Sequence, residues 1–180
     1  MSAYWEPPTV PWLTSGEVRQ SIITSTENFI SEEGFNNSSA KMWQPWTTVV
    51  ALYGATAGQT SLLAMELCAN QACCGFTPKP HHRFFNYLLV SSSVTELEQQ
   101  ARGSAQQNLS KQIVEDLKCV VASDSVLSQF DKLVVPLFDR WVANLRESDS
   151  LASLRDALLP KLLSGELRVR DADRAVERSV

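Results

Sequence analysis

The sequence predicts an α+β fold: a mixed small sheet, distorted and barrel-like, followed by a long C-terminal helical arm of coiled-coil type. Three observations point there. Short β-branched or apolar runs bounded by proline and glycine recur up to about residue 120. A helical pattern interrupts them between 83 and 100. From about Ser125 the chain changes character and an apolar residue recurs every three or four positions. The organisation read from this is a domain over 1–122, a helical arm over 123–167 and a frayed tail over 168–180.

In chain order, Thr47-Thr-Val-Val-Ala-Leu-Tyr53 is β-branched and apolar between Pro45 and Gly54, and reads as a buried strand with Gly54-Ala-Thr-Ala-Gly58 as its turn. Ala69-Asn-Gln-Ala-Cys-Cys-Gly-Phe76 reads as a second short strand, closed by Pro78 and Pro80. Residues 83–100 form two helical pieces divided near Ser91-Ser-Ser93, with Thr95-Glu-Leu-Glu as the second start. A final strand is expected over 117–121. Leu127, Phe130, Val134, Leu137 and Trp141 then step by three and four as a heptad seam. The next seam positions, Asn144 and Ser148, are polar, and the pattern resumes at Leu151, Leu154 and Leu158. Pro136 and Pro160 each remove a backbone donor, so kinks or breaks are expected there. Helix over roughly 126–163 would be about 55 Å long at 1.5 Å per residue. Such an arm wants a partner helix.

Bulk properties narrow the function classes. The 180 residues fit one domain with room for an extra element. No apolar run approaches the length that crosses a bilayer and no secretory leader is evident, so the expected location is cytoplasmic, with no membrane partner. Cys68, Cys73, Cys74 and Cys119 lack zinc-site spacing and read as reduced thiols, so no metal site is expected. The formal net charge of −4 argues against indiscriminate nucleic-acid binding. A local basic face can still be drawn from Arg19, Lys41, Lys79, Arg83, Arg102 and Lys111.

No catalytic constellation stands out. Gly54-Ala-Thr-Ala-Gly58 has the wrong spacing for a phosphate-cradling loop, and His81-His82 beside Pro80 makes a poor general-base set. Glu115 with Asp116-Leu-Lys118 resembles a nuclease fragment, for which Glu96 or Glu98 would have to supply a further metal-holding carboxylate. The chain is instead rich in hydroxyl and amide side chains beside glycine: Thr14-Ser-Gly-Glu17, Thr56-Ala-Gly-Gln59 and Gly103-Ser-Ala-Gln-Gln-Asn-Leu-Ser110. Such residues read base edges and phosphates, and they also close ordinary turns.

Leu154-Arg-Asp-Ala-Leu-Leu-Pro-Lys-Leu-Leu-Ser-Gly-Glu-Leu167 closely resembles the C-terminal helix of the specificity subunits of type I restriction-modification enzymes. Tyr4-Trp5, Val10-Pro-Trp-Leu-Thr-Ser-Gly-Glu17, Ile30-Ser-Glu-Glu-Gly-Phe-Asn-Asn-Ser-Ser-Ala40, Leu52-Tyr-Gly-Ala-Thr-Ala-Gly-Gln59, Asn70-Gln71 and Gly103-Ser-Ala-Gln-Gln-Asn108 resemble, in family order, their target recognition domain.

The resemblance implies a half-length, non-catalytic subunit. It has one recognition domain, lacking an earlier strand and Gly-rich segment, and one arm. Its implied partners are double-stranded DNA, the methyltransferase subunits, the motor and nuclease subunit, and a second copy of the chain. It needs no cofactor itself, because S-adenosylmethionine, ATP and magnesium belong to the partner subunits. An assembly or regulatory fragment that binds methyltransferase subunits without reading DNA is the other reading. DNA-contact candidates are Thr14, Ser15, Arg19, Thr56, Gln59, Arg83, Ser104, Gln106, Gln107 and Asn108. Base readers are also sought in the less typical stretches 18–27 and 79–83. Leu127, Phe130, Val134, Leu137, Trp141, Leu151, Leu154 and Leu158 are the interface candidates.

Overall fold

The computed structural model describes residues 2–102 and 108–167. It divides into two compact units, Met1–Asp139 and Arg140–Val180. The first holds two small sheets. Strand β1 (Val10–Leu13) pairs antiparallel with β3 (Asn28–Ile30), Val10 opposite Ile30, and parallel with β6 (Cys68–Ala69), Trp12 opposite Cys68. The second sheet has the order β2-β5-β4-β7, from β2 (Ile22–Ile23), β5 (Thr60–Leu63), β4 (Thr48–Ala51) and β7 (Cys73–Phe76). Here β4 runs antiparallel to both neighbours, whereas β2 joins β5 in parallel. Among the described residues the sheets do not close into a barrel.

The expected strand over 47–53 is β4, buried along its whole length. Its alternating side chains feed two cores, as a strand covered on both faces must. Val50 points into a core with Val90 and Leu97 of helices α2 (Arg83–Ser92) and α3 (Val94–Arg102), closed by Val114 of α4 (Lys111–Glu115). Val49 and Ala51 join Leu13, Ile23 and Leu63 on the other face. The two helical pieces divide at Ser93, as the serine run suggests. Short helix α1 (Glu32–Asn36) is capped by Ser31, whose hydroxyl accepts from Gly34 N at 2.9 Å and donates to Ala3 O at 2.6 Å.

Three expectations are corrected. The single strand over 69–76 is two, β6 and β7, because Asn70 turns the chain: its Oδ1 accepts from Ala72 N at 3.1 Å and its carbonyl accepts from Cys73 N. The strand expected over 117–121 is absent: these residues have no ladder partner, and Val120 is 94% exposed. β-Branched residues alone do not make a strand without a neighbour to pair with. The arm does not break at either proline. Helix α5 (Asp124–Leu163) is continuous over 40 residues, about 60 Å at 1.5 Å per residue. Pro136 lies on its exposed side, where water can satisfy a freed carbonyl.

The first turns of α5 belong to the first unit. Leu127 is fully covered there, and Phe138 stacks on Phe84 with centroids 4.1 Å apart and meets Tyr87 edge-on. Leu127 is therefore covered by its own chain. Phe130 and Val134 are half-buried. Leu137, Trp141, Leu151 and Leu154 stay exposed, at 67%, 39%, 59% and 53%. The 168–180 tail lies outside the described residues.

Candidate functional site

Two glycine-containing turns meet in the first unit, beside a strand bridge at Asn108. In Thr14-Ser-Gly-Glu17, the Glu17 carboxylate accepts from Thr14 N and Thr14 Oγ1, each at 2.9 Å, and from Glu27 N at 2.8 Å. This acid ties a 3-10 turn at Ser15–Glu17 to a segment ten residues on. A second 3-10 turn, Gly54–Thr56, packs against it, and Thr56 Oγ1 donates to Ser15 O at 2.8 Å. Gly54 and Gly58 have φ of 80° and 92°, where a side chain is strained. At Gly58 a Cβ would also lie 2.8 Å from Glu98 N, so this turn needs glycine to lie against α3. Gln59 Nε2 donates to Glu98 Oε1. Tyr53 bridges Asn108, with Leu109 N donating to Leu52 O at 2.8 Å.

The fold thus brings Thr14, Ser15, Thr56 and Gln59 together with the strand bridge at Asn108. Most of their polar atoms hold the loops to one another. Thr56 is 3% exposed, so its hydroxyl serves the fold. Ser104, Gln106 and Gln107 lie outside the described residues. What this face offers outward is Gly16, Arg19, Gln20, Tyr53, Gly54 and Ala55. Gln20 lies in the 18–27 stretch where base readers are sought, whereas Tyr53 is not among the candidates. A half-exposed tyrosine beside a glycine turn, at the end of a buried strand, was the available signal.

The basic candidates divide. Arg19, Lys41 and Lys79 are exposed and make no ion pair among the described residues. Arg83 is committed elsewhere: its Nε and a terminal nitrogen donate to the two oxygens of buried Asp131, both at 3.2 Å. Its guanidinium also lies 4.8 Å from the Phe84 ring centre and 5.8 Å from that of Trp46. Lys111 pairs with Glu115 at 3.0 Å, which raises its pKa. A cleft lined by Lys41, Trp43, Asn70 and Gln71 holds the Asn70-Gln71 motif. There Gln71 and Lys41 are exposed, while Asn70 is used in its turn.

The nuclease-like fragment has no strand under it. Asp116 closes α4 and accepts from Gln112 Nε2 at 2.9 Å, and Glu98 is engaged by Gln59. Among the described residues no three His, Cys, Asp or Glu side chains form a metal-holding group, and no helix is long and apolar enough to cross a membrane. Burial pushes the Cys68 and Cys73 thiols up to about 11 and about 12 and raises Cys74, so all three stay protonated; Cys119 is exposed.

A family model described as the type I restriction modification DNA specificity domain matches residues 1–121. The chain belongs to that family. Among related specificity subunits, that of the MjaIX enzyme of Methanocaldococcus jannaschii is 23% identical over 172 residues, covering 93% of this chain and 40% of the relative. That of the HindI enzyme of Haemophilus influenzae is 27% identical over 163 residues, covering 88% of this chain and 35% of the relative. The chain therefore spans well under half the length of these subunits. The fold is shared with solved specificity subunits. The one from M. genitalium superposes with a TM-score of 0.62 at 15% identity, over 89% of this chain and 40% of that one. The HsdS subunit of Thermoanaerobacter tengcongensis gives 0.53 at 16%, over 92% and 40%.

Proposed function

We propose that this chain is a non-catalytic DNA-specificity component of a cytoplasmic type I restriction-modification complex. It reads one half of a bipartite double-stranded site. The observation that carries the reading is the family match over residues 1–121, which spans the whole interlocked loop face. On that face the exposed Arg19, Gln20 and Tyr53 are the proposed DNA contacts, and the part-buried hydrogen bonds between the turns preorganise the backbone. The exposed apolar residues of α5, Leu137, Leu151 and Leu154 among them, support pairing with a second copy, which would present two identical domains to a two-fold site. The methyltransferase subunits and the motor and nuclease subunit are the further partners. S-adenosylmethionine, ATP and magnesium act on those subunits.

A second reading keeps assembly and drops DNA recognition. Its support is specific: the net charge is −4, and Arg83 and Lys111, two of the basic candidates, already have carboxylate partners. Mobility-shift titration of the complex with a methyltransferase subunit separates the two. A reader gives sequence-selective binding that weakens steeply with salt. An assembly fragment gives a complex whose DNA affinity is the same for every sequence.

A further inference from the structure

Three stretches of sequence that the loop face leaves unused meet at one cleft. Trp12 of β1, the segment after α1 and the Asn70-Gln71 pair just past β6 are far apart in the chain. Yet Trp12, Ser39, Lys41, Trp43, Asn70 and Gln71 line the same opening. Backbone bonding fixes its walls. Trp43 exchanges hydrogen bonds with Leu67 at 2.8 and 3.2 Å, and Trp12 stands opposite Cys68 on the parallel β1–β6 ladder. A Cβ on Gly75 would lie 2.6–2.9 Å from three atoms around the ring fusion of the Trp43 indole. The ring therefore rests on bare backbone, a close approach that glycine permits. Asn70 N donates to Leu13 O at 3.1 Å, and its side-chain Oδ1 accepts from Ala72 N at 3.1 Å. These bonds hold the amide in one orientation and leave Nδ2 to donate.

The chemistry of the cleft is one-sided. Lys41 is exposed and makes no ion pair among the described residues. The Ser39 hydroxyl, Asn70 Nδ2 and the Gln71 amide have no hydrogen-bond partner there either. Among the described residues no carboxylate lines the cleft, although the chain carries a net charge of −4. Donors gathered around a single cation match an anionic group, and two indoles match a flat ring.

We infer that this cleft binds one nucleotide of DNA whose base is out of its stack. The ring lies against Trp12 and Trp43, the phosphate meets Lys41, and the base edge meets Asn70 and Gln71. In a duplex the faces of each base are covered by its neighbours, so walls that take a ring face require an unstacked nucleotide. The volume of about 270 Å³ holds one ring system with its phosphate and not a duplex. The inference rests on the DNA reading proposed above and goes beyond it. The loop face meets the edges of paired bases, whereas the cleft holds a displaced one. The two are joined through β1, since Trp12 lies two residues before Thr14 of the first turn.

The test is a titration of the nitrogen-15-labelled full chain, followed by the indole N–H signals of its five tryptophans. The probes are a single-stranded thymidine octamer, its duplex with the adenosine octamer, and tripolyphosphate. The single strand should shift the Trp12 and Trp43 signals first and most. Lys41→Met should weaken its binding and lower the salt slope by about 0.7, the share of one phosphate on a single strand. Trp12→Leu should weaken it roughly 5- to 150-fold, the worth of one stacked base. Gln71→Ala, at an exposed position outside the core, should weaken it about 2- to 10-fold without unfolding the chain. Shifts of the same size with tripolyphosphate mean anion binding alone and overturn the ring site. An equal response to the duplex overturns the requirement for an unstacked base. Unmoved indoles with the single strand overturn the inference outright. Sequence-selective duplex binding by the methyltransferase complex with a silent cleft overturns this inference alone; absence of both overturns the DNA reading as well.

Discussion

Arg83 was drawn from the sequence as a cation for DNA, and the structure gives it a different task whose size can be estimated. Asp131 is 7% exposed and receives two hydrogen bonds of 3.2 Å from Arg83, with His81 Nδ1 a further 3.6 Å away. Truncating Arg83→Ala leaves that carboxylate in a mostly dry site without its main partner. Breaking a fully buried pair from one side costs about 3–5 kcal/mol. The Arg83 side chain keeps 30% of its exposure, so water already weakens the pair and the loss should be about 2–3 kcal/mol. At roughly 2–4 °C per kcal/mol for a chain of this size, the melting temperature should fall by about 4–12 °C. Urea titration and thermal melts measure this. Arg19→Ala, exposed, should stay within about 0.5 kcal/mol. Arg83→Met with Asp131→Leu should recover most of the stability, because an apolar pair of similar volume needs no counter-charge. Arg83→Ala within 0.5 kcal/mol of the parent would refute the assignment.

Thr56→Val keeps shape but removes the bond to Ser15 O, leaving a carbonyl short of a donor; unfolding should become easier by about 1–2 kcal/mol in the same urea titration. In the native protein one thiol, Cys119, should react with a disulfide reagent at pH 8, and all four after denaturation. The folded thiols titrate above their unfolded value near 9.0, so they cost no stability below pH 9; stability should fall from there as the unfolded thiols ionise, through about 11 to 12, followed by pH-dependent denaturation. Leu137→Asp or Leu158→Asp should reduce a dimer to a folded monomer by light scattering, and an unchanged dimer mass would remove the arm-pairing model. Both sites lie outside the buried core, so the circular dichroism spectrum should be preserved.

Elements whose pattern is decided locally were legible. The β-branched run at Thr48–Ala51 needs little context to be a buried strand, and the three serines before Val94 mark the break between α2 and α3. Where a distant neighbour decides, sequence reasoning failed. Val120 and Val121 suggested a strand, but no ladder reaches them. Pro136 suggested a break, yet Asp131, Leu127 and Phe138 anchor α5 on both sides of it. The heptad seam was visible but not its division: Leu127 is already covered, and Leu137 is free. At the loop face the motif positions were legible, but the hydrogen bonds that hold them to one another were not. Glu17, the acceptor that ties the first turn together, is not singled out within its motif by sequence, and the 48-residue separation of Arg83 from Asp131 hides their pairing. Tyr53 gains meaning only once the two turns are seen packed together.

In the proposed function this chain tells a methyltransferase which DNA to modify. The most direct measurement is to co-express it with its methyltransferase subunit in a host free of adenine methylation and map methyladenine across the genome. Methylation is expected at one gapped, two-fold symmetric motif, lost when the chain is omitted. Methylation at the same positions without the chain, or none with both proteins present as a complex, would contradict it.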